Sequence, residues 1–412
     1  MKKLERSAIR VEQHQIDTRH ASYALLASFC HKAKNLYNHA NYLVRHAFFE
    51  EKQWLRYGTL DKLLKEDTEY PDYKEMPTAQ SAQQILRALD GNWASFFASI
   101  KDYSKNKQKY LGRPKPPNYL KKDGFYELVL TNQNCKIKED KIQFPKLFEG
   151  FFITPRCIKR EDFLSLQQVR IVPKGQYLVV EVVYKIQLPK KKEDKGRYVG
   201  IDIGVSNLAT VGNTIGKPAF ILNGRPLKSM NQYYNKKISY YREIVKRMNQ
   251  KDYSKRMAQL TKKRKAKIED YLHKASRYLI EYCKTEDISK IVIGQNKEWK
   301  QESPLGKVVN QSFVQIPFAK FLQMIQYKAE EVGITVILTE ERYTSGTSFL
   351  DGETPTKGNY NKARRVHRGL FVSNTGIPIN ADLNGAYQIL KKVVPIEWDR
   401  GWALHPVVVN IR

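Results

Sequence analysis

The chain is short of cysteine, of acid and of long apolar runs. Its four cysteines (Cys30, Cys135, Cys157 and Cys283) are scattered, with no CxxC pair. That argues against a disulfide framework and reads as reduced, structural thiols in a cytosolic protein. No apolar run approaches the ~20 residues of a membrane span. The opening Met1-Lys2-Lys3-Leu4-Glu5-Arg6 lacks the apolar stretch of a secretion signal. No membrane is therefore expected among its partners. Acid is outnumbered, 42 Asp+Glu against 72 Lys+Arg, which leaves a formal charge of +30. That excess favours a polyanionic partner, and nucleic acid is the usual one. Ribosomal and membrane-surface proteins share such a charge, so charge alone does not choose between them.

What is present is bulk and aromatic surface. A length of 412 residues suffices for two or three domains with their own cores. The 25 Tyr and 17 Phe include stacking surfaces for unpaired bases, although most are expected in cores.

One carboxylate stands out. In Gly200-Ile201-Asp202-Ile203-Gly204-Val205-Ser206-Asn207-Leu208 an apolar stretch runs into a lone aspartate, and a second strand-like stretch follows. This places Asp202 on the first strand of a buried sheet. A buried carboxylate is costly unless a cation or a donor meets it. A second one lies far downstream, in Ile379-Asn380-Ala381-Asp382-Leu383-Asn384-Gly385-Ala386. One aspartate on a strand and one opening a helix suggest a split metal site in an RNase H-like fold. The plainer alternative makes Asp202 a turn residue and Asp382 a helix N-cap.

Periodicity organises the rest. Phe29, Ala33, Leu36, Ala40, Leu43 and Ala47, then Leu86, Leu89, Trp93, Phe96 and Ile100, recur at helical steps, so residues from about 21 to 110 predict helices. Gly112-Arg113-Pro114-Lys115-Pro116-Pro117 is a stiff, basic connector. Strand signals around Ile137, Ile142, Val169, Ile171 and Tyr177 to Val183 predict a small antiparallel barrel or sheet, to which the first ~20 residues add a strand. A charged linker, Lys190 to Gly196, precedes the strand of Asp202. Residues from about 226 to 285 predict two more helices, with the basic run Lys262-Lys263-Arg264-Lys265-Ala266-Lys267 between them. Such a run is usually just solvated, but here phosphate contact is the favoured reading. Ile291-Val292-Ile293 and Thr335-Val336-Ile337-Leu338, separated by a helix carrying Phe318, Phe321, Leu322 and Ile325, imply a parallel strand pair.

These pieces resemble the TnpB family, RNA-guided nucleases of bacterial insertion sequences related to Fanzor proteins and type V CRISPR effectors. The most specific matches are Gly200 to Gly204, Tyr343-Thr344-Ser345 and Ala381 to Ala386. The resemblance spans nearly the whole chain and implies an α/β fold with added α and β parts. Residues 1–20 and 121–190 would be a β-barrel wedge domain, and 21–120 a helical recognition domain. Residues 197–412 would be an RNase H-like RuvC nuclease domain, with a helical insertion at 226–285 and a degenerate zinc-ribbon-like loop at 343–379.

The chain departs from the family twice. The family usually places a glutamate after the strand that matches Ile291-Val292-Ile293, where this chain has Gly294. Some relatives, Fanzors among them, supply it from the next strand, two residues before the Tyr-Thr-Ser stretch; that residue is Glu341. Neighbouring strands lie ~4.8 Å apart, so a long side chain can reach across. Glu340 and Glu341 cannot both face the site while the strand persists. Glu341 is favoured over Glu340 and Glu298. The plain alternative leaves all three as surface glutamates. The second departure is in the ribbon, where the family's two CxxC pairs are matched by Ser348, Asp351, Val372 and Thr375. Valine has no ligand atom and hydroxyls bind zinc poorly, so a loop of similar shape without zinc is expected. Gly352 and Gly376 remain where the knuckle turns would need them.

The chemistry this implies is phosphodiester hydrolysis with two Mg²⁺ or Mn²⁺ ions held by Asp202, Glu341 and Asp382. A guide RNA from the element's end would pair with one strand of a double-stranded DNA target, and the protein would read a short adjacent motif. Two alternatives remain. One is an RNA-guided DNA-binding protein that does not cut, and the other is a guide-independent resolvase or transposase. No oligomeric state is implied.

Overall fold

Two units follow one another, Met1–Gln187 and Leu188–Arg412. The computed structural model describes residues 6–249, 253–295, 315–397 and 402–411. Glu298 lies outside them.

The first unit joins helices to an antiparallel sheet. Strand β1 (Ser7–Asp17) leads into α1 (Tyr23–Glu50), α2 (Tyr57–Glu66) and α3 (Ala79–Lys105). The apolar stripe of α1 buries Phe29, Ala33, Leu36, Ala40 and Ala47, with Val44 taking the inward place beside Leu43. Thr78 caps α3 by accepting the Ser81 N–H, which satisfies a donor the helix cannot. On α3, Trp93 is fully buried and its indole N–H reaches Asn41 Oδ1 at 3.0 Å. The proline-rich connector runs along α1: Asn38 exchanges two hydrogen bonds with Leu120, and Asn41 and Arg45 both donate to the Pro117 carbonyl.

After the connector come β2 (Leu128–Thr131), β3 (Lys136–Lys138), β4 (Lys141–Gln143), β5 (Phe152–Ile153), β6 (Phe163–Pro173) and β7 (Tyr177–Gln187). They form two open antiparallel sheets, β1-β7-β6-β2 and β3-β4-β5, rather than one closed barrel. The outer strand β2 has four residues and pairs with β6 alone, so among the described residues nothing joins it to β1.

The second unit is built on a larger, mixed sheet. Its strands are β8 (Tyr198–Asp202), β9 (Asn207–Asn213), β10 (Phe220–Asn223), β11 (Lys290–Gln295), β12 (Thr335–Glu340), β13 (Leu370–Val372), β14 (Pro378–Asn380) and β15 (Val407–Val409). Its helices are α4 (Arg225–Asn249), α5 (Lys255–Thr285), α6 (Phe318–Glu331) and α7 (Ala381–Lys391). Six strands form a mixed sheet in the order β12-β11-β8-β9-β10-β15. β8, β11 and β12 are parallel neighbours, and β8-β9-β10 is an antiparallel meander.

Alternation sorts the sheet's two faces. Val199, Ile201, Ile291 and Ile293 point to one side, into a core shared with Leu272, Ala275 and Leu279 of α5 and Phe321 and Ile325 of α6. Gly200, Gly212 and Val292 point to the other side and meet α7. Asp202 shares the parity of Gly200, so it also faces α7. Each buried aliphatic side chain contributes about 1.5–3 kcal/mol, and most of this sheet is buried on both faces. Among the described residues, no helix is long and apolar enough to cross a membrane. All four cysteines are buried and free.

The basic run Lys262–Lys267 lies within α5 rather than between the two helices. Lysine, arginine and alanine are good helix formers, and Ser254 caps the helix upstream by accepting the Met257 N–H.

Candidate active site

The C-terminal ends of β8, β11 and β12 converge, which is where open parallel sheets bind ligands. Asp202 is the last residue of β8 and pairs with Thr210 of β9; it is a strand residue, not a turn residue. Glu341 follows the last residue of β12. Asp382 stands in the first turn of α7. The N-cap of that helix is Asn380, whose Oδ1 accepts the N–H groups of Asp382 and Leu383 at 3.1 Å each. The capping role is thereby filled, and the Asp382 carboxylate is left to face the strands.

All three carboxylates line one cavity of about 710 Å³, together with Asn207, Thr344, Ser345, Arg365 and Arg368. Two of them act on the third. Burial pushes the Asp202 carboxyl well above its ordinary range, and the negative charges of Asp382 and Glu341 push it further, against the opposing pull of Arg365. Gly385 is what lets α7 approach so closely: a Cβ there would lie 2.8 Å from Asp202 Oδ2.

Glu340 is exposed, whereas Glu341 is half-buried in the cavity wall. The turn after β12 sets this. Thr344 donates its N–H and its hydroxyl to the Glu341 carbonyl, at 3.2 and 2.7 Å, and Tyr343 takes a left-handed φ of 68°. Lys392 adds a clamp from behind by donating to the Glu340 and Arg342 carbonyls at 2.8 and 2.6 Å. Gly294, where the resemblance leads one to look for a glutamate, sits beside Glu341: a Cβ at 294 would lie 3.2 Å from the Glu341 Cβ.

The oxygen donors suit a hard divalent cation such as Mg²⁺ or Mn²⁺. They do not form a closed ligand set as they stand. Among the described residues, no group of three or more His, Cys, Asp or Glu side chains is arranged to hold a metal ion. Asp382 is already paired within the chain. Its Oδ1 accepts Arg365 at 2.8 Å and its Oδ2 accepts the Asn207 amide at 2.7 Å, so an internal cation and an internal donor already satisfy it. Neither Arg365 nor Asn207 stood out in the sequence. The only trace of Arg365 is its place in a basic stretch, Arg364-Arg365-Val366-His367-Arg368.

A second cavity, about 500 Å³, lies between α4 and α5, with Tyr233, Tyr234, Arg256, Lys263, Arg264 and Lys267 among its lining residues. Arg264 is fixed there. It stacks on Tyr234 at 4.8 Å and donates to Asn231 Oδ1 at 2.7 Å, and burial lowers its pKa. Lys263 and Lys267 are exposed, and among the described residues no carboxylate pairs with them.

Comparison with known proteins adds two family matches and several relatives. A family model described as "Probable transposase", OrfB_IS605, matches residues 181–300, and one described as "Cas12f1-like, TNB domain" matches residues 318–389. The chain is 24% identical over 394 residues to the TnpB-like protein ORF457 of Acidianus two-tailed virus, covering 88% of this chain and 81% of that one. It is 26% identical over 280 residues to the CRISPR-associated endodeoxyribonuclease Cas12f2 of a Micrarchaeota archaeon, covering 63% of this chain and 47% of that one. A cryo-EM structure of a Cas12f1-sgRNA-target DNA complex matches with a TM-score of 0.54 at 14% identity, over 89% of this chain and 82% of the other. That last likeness is one of fold: a RuvC-containing α/β architecture with a mixed sheet.

Proposed function

The chain is a TnpB-family protein, related to the type V CRISPR effectors, and on that premise we propose that it is an RNA-guided DNA endonuclease. Cutting would occur at the cavity of Asp202, Glu341 and Asp382. Its partners would be a guide RNA from the element's end and a double-stranded DNA target. The observation that carries this reading is the gathering of three carboxylates from distant parts of the chain around one cavity, where Asp382 and Glu341 both oppose the ionisation of the buried Asp202. Like charges in a desolvated site are a poor arrangement for stability alone, and they suit a site that takes up cations.

Asp202, Glu341 and Asp382 would hold two Mg²⁺ or Mn²⁺ ions. When bound, such ions supply the charge that activates water and stabilises a departing phosphate oxygen. Asn207 and Arg365 orient Asp382, and Arg365 balances its charge.

The test is a plasmid-cleavage assay with co-purified RNA and Mg²⁺. Guided cleavage that disappears on RNase treatment is the expected result. Cleavage that survives RNase would favour a guide-independent resolvase or transposase. Tight guided binding without cleavage would favour a non-cutting relative, a reading consistent with the Asp382 carboxylate's pairing with Arg365.

The α4–α5 cavity fits the same function as a phosphate-contacting surface with an aromatic face. Replacing Arg256, Lys263 and Lys267 together by glutamine is expected to flatten the dependence of log affinity on log salt by about 2–3. Titrating guide RNA and target DNA separately shows which strand loses the contacts. An unchanged slope for both would remove this surface from the interface.

A further inference from the structure

The ribbon positions do not fit the zinc ion that the family resemblance calls for. Val372 has no donor atom, and the hydroxyls of Ser348 and Thr375 are poor zinc ligands. The one carboxylate, Asp351, is committed, its Oδ2 accepting the Asn374 backbone N–H at 2.8 Å. Yet both knuckle turns are formed. Gly352 and Gly376 take φ of 68° and 80°, a region that glycine enters at little cost. The Glu353 N–H returns to the Ser348 carbonyl, and the Gly376 N–H to that of Ser373, each at 3.1 Å. Another group must tie the two turns together.

That group is Arg364, whose side chain is only 10% exposed. Its two terminal nitrogens grip Glu353 in parallel, at 2.7 Å each. One of them lies 3.6 Å from Asp351 Oδ2 and 3.3 Å from Asn374 Oδ1. The other also donates to the Gly346 and Asn359 carbonyls at 3.0 Å. Glu353 in turn accepts the Ser348 N–H at 2.7 Å and the Asn374 amide at 3.2 Å. A planar guanidinium facing a carboxylate is the strongest cross-link that side chains offer here short of a metal.

We infer that Arg364 replaces zinc as the cross-link of this loop and is a positioning residue for the nuclease cavity. The next residue, Arg365, meets Asp382 at 2.8 Å, and Arg368 lines the same cavity. Anchoring residue 364 fixes where those cations stand. The order of the loop then depends on a charge within the chain and not on metal supply. The claim about positioning rests on the nuclease reading above; the claim about the cross-link does not.

The experiment uses the full chain with its co-purified RNA, as wild type and as Arg364→Ala, Arg364→Lys and Glu353→Gln. Elemental analysis should find no stoichiometric zinc, and a chelator should leave hydrogen-exchange protection of residues 346–376 unchanged in the wild type. Arg364→Ala should lose that protection and cut about 10- to 100-fold more slowly, with target affinity within about twofold, because a displacement of about 1 Å near the chemistry is enough. Ethylguanidinium should restore part of the rate, and lysine, which cannot grip both oxygens, should not. One bound zinc per chain would overturn the inference. So would wild-type cleavage and protection in Arg364→Ala, or a loss of rate that ethylguanidinium leaves untouched. Should Arg364→Ala fail to fold, Glu353→Gln decides: reduced loop protection supports the cross-link, and wild-type protection sinks it. If the wild type itself does not cut, the nuclease reading fails, while exchange and zinc content still decide what holds the loop.

Discussion

Replacing Glu341 by alanine is expected to lower guided DNA cleavage by about three orders of magnitude, with guided target binding within about twofold of wild type. If Glu341 holds catalytic cations as proposed, its loss removes several kcal/mol of transition-state stabilisation, and each 1.36 kcal/mol is about tenfold in rate. Glu341 lines the cavity and opposes the ionisation of Asp202, whereas Glu340 is exposed. Glu340→Ala is therefore the matched control and should cut at the wild-type rate. A gain-of-function arm sharpens the test. A side chain started at Gly294 would begin 3.2 Å from the Glu341 Cβ and enter the same space. The obstacle is Ile389 Cδ1 at 2.5 Å, the movable end of a flexible side chain. Glu341→Ala combined with Gly294→Glu should therefore recover part of the lost rate, and further trimming with Ile389→Val should recover more. Wild-type cleavage by Glu341→Ala would remove this glutamate from the site.

Why some of this was legible in the sequence and some was not follows from the range of the interactions. Asp202 announces itself because an apolar strand ending in a lone carboxylate is a local pattern. The helix after Asp382 is likewise local, as are the turn glycines Gly352 and Gly376, whose positive φ the knuckle geometry requires. The parallel pairing of β11 and β12 follows from the strand–helix–strand order. Glu341 could be named only by resemblance, since nothing local separates it from Glu340; the turn held by Thr344 and Lys392 makes the difference.

The partners of Asp382 were out of reach. Arg365 is 17 residues away and Asn207 is 175, and no periodicity links them. Asn380 took the capping role that the plainer reading gave to Asp382, although both are good caps by residue type. Arg364 looked like one more basic residue, because its meaning lies in two carboxylates on a turn upstream. The basic run in α5 was misplaced for the opposite reason: charge was read as a break, although lysine and arginine propagate a helix well.

Gly200→Ala should damage both the stability of the second unit and its cavity. On β8 a Cβ at position 200 would lie 2.3 Å from the Ala386 carbonyl oxygen and 2.9 Å from Leu390 Cβ. The first of these is backbone, so no rotamer change relieves it. Either β8 or α7 must move, and both carry proposed metal ligands, Asp202 and Asp382. Overpacking that forces backbone shifts costs about 1–3 kcal/mol and sometimes more. At the upper end this lowers the melting transition of a unit of this size by roughly 10 °C. The comparison substitution is Gly358→Ala, where an added Cβ meets nothing within 4 Å, and its transition should stay at the wild-type temperature. Because the chain holds two units, the shift is best followed by temperature-dependent hydrogen exchange of the β8 and β9 amides. Gly200→Ala should cost cleavage as well as stability, since relieving the clash separates the strand carboxylate from the helical one. A Gly200→Ala protein with wild-type exchange in β8 would mean that α7 does not press on the strand as closely as the 2.3 Å approach requires.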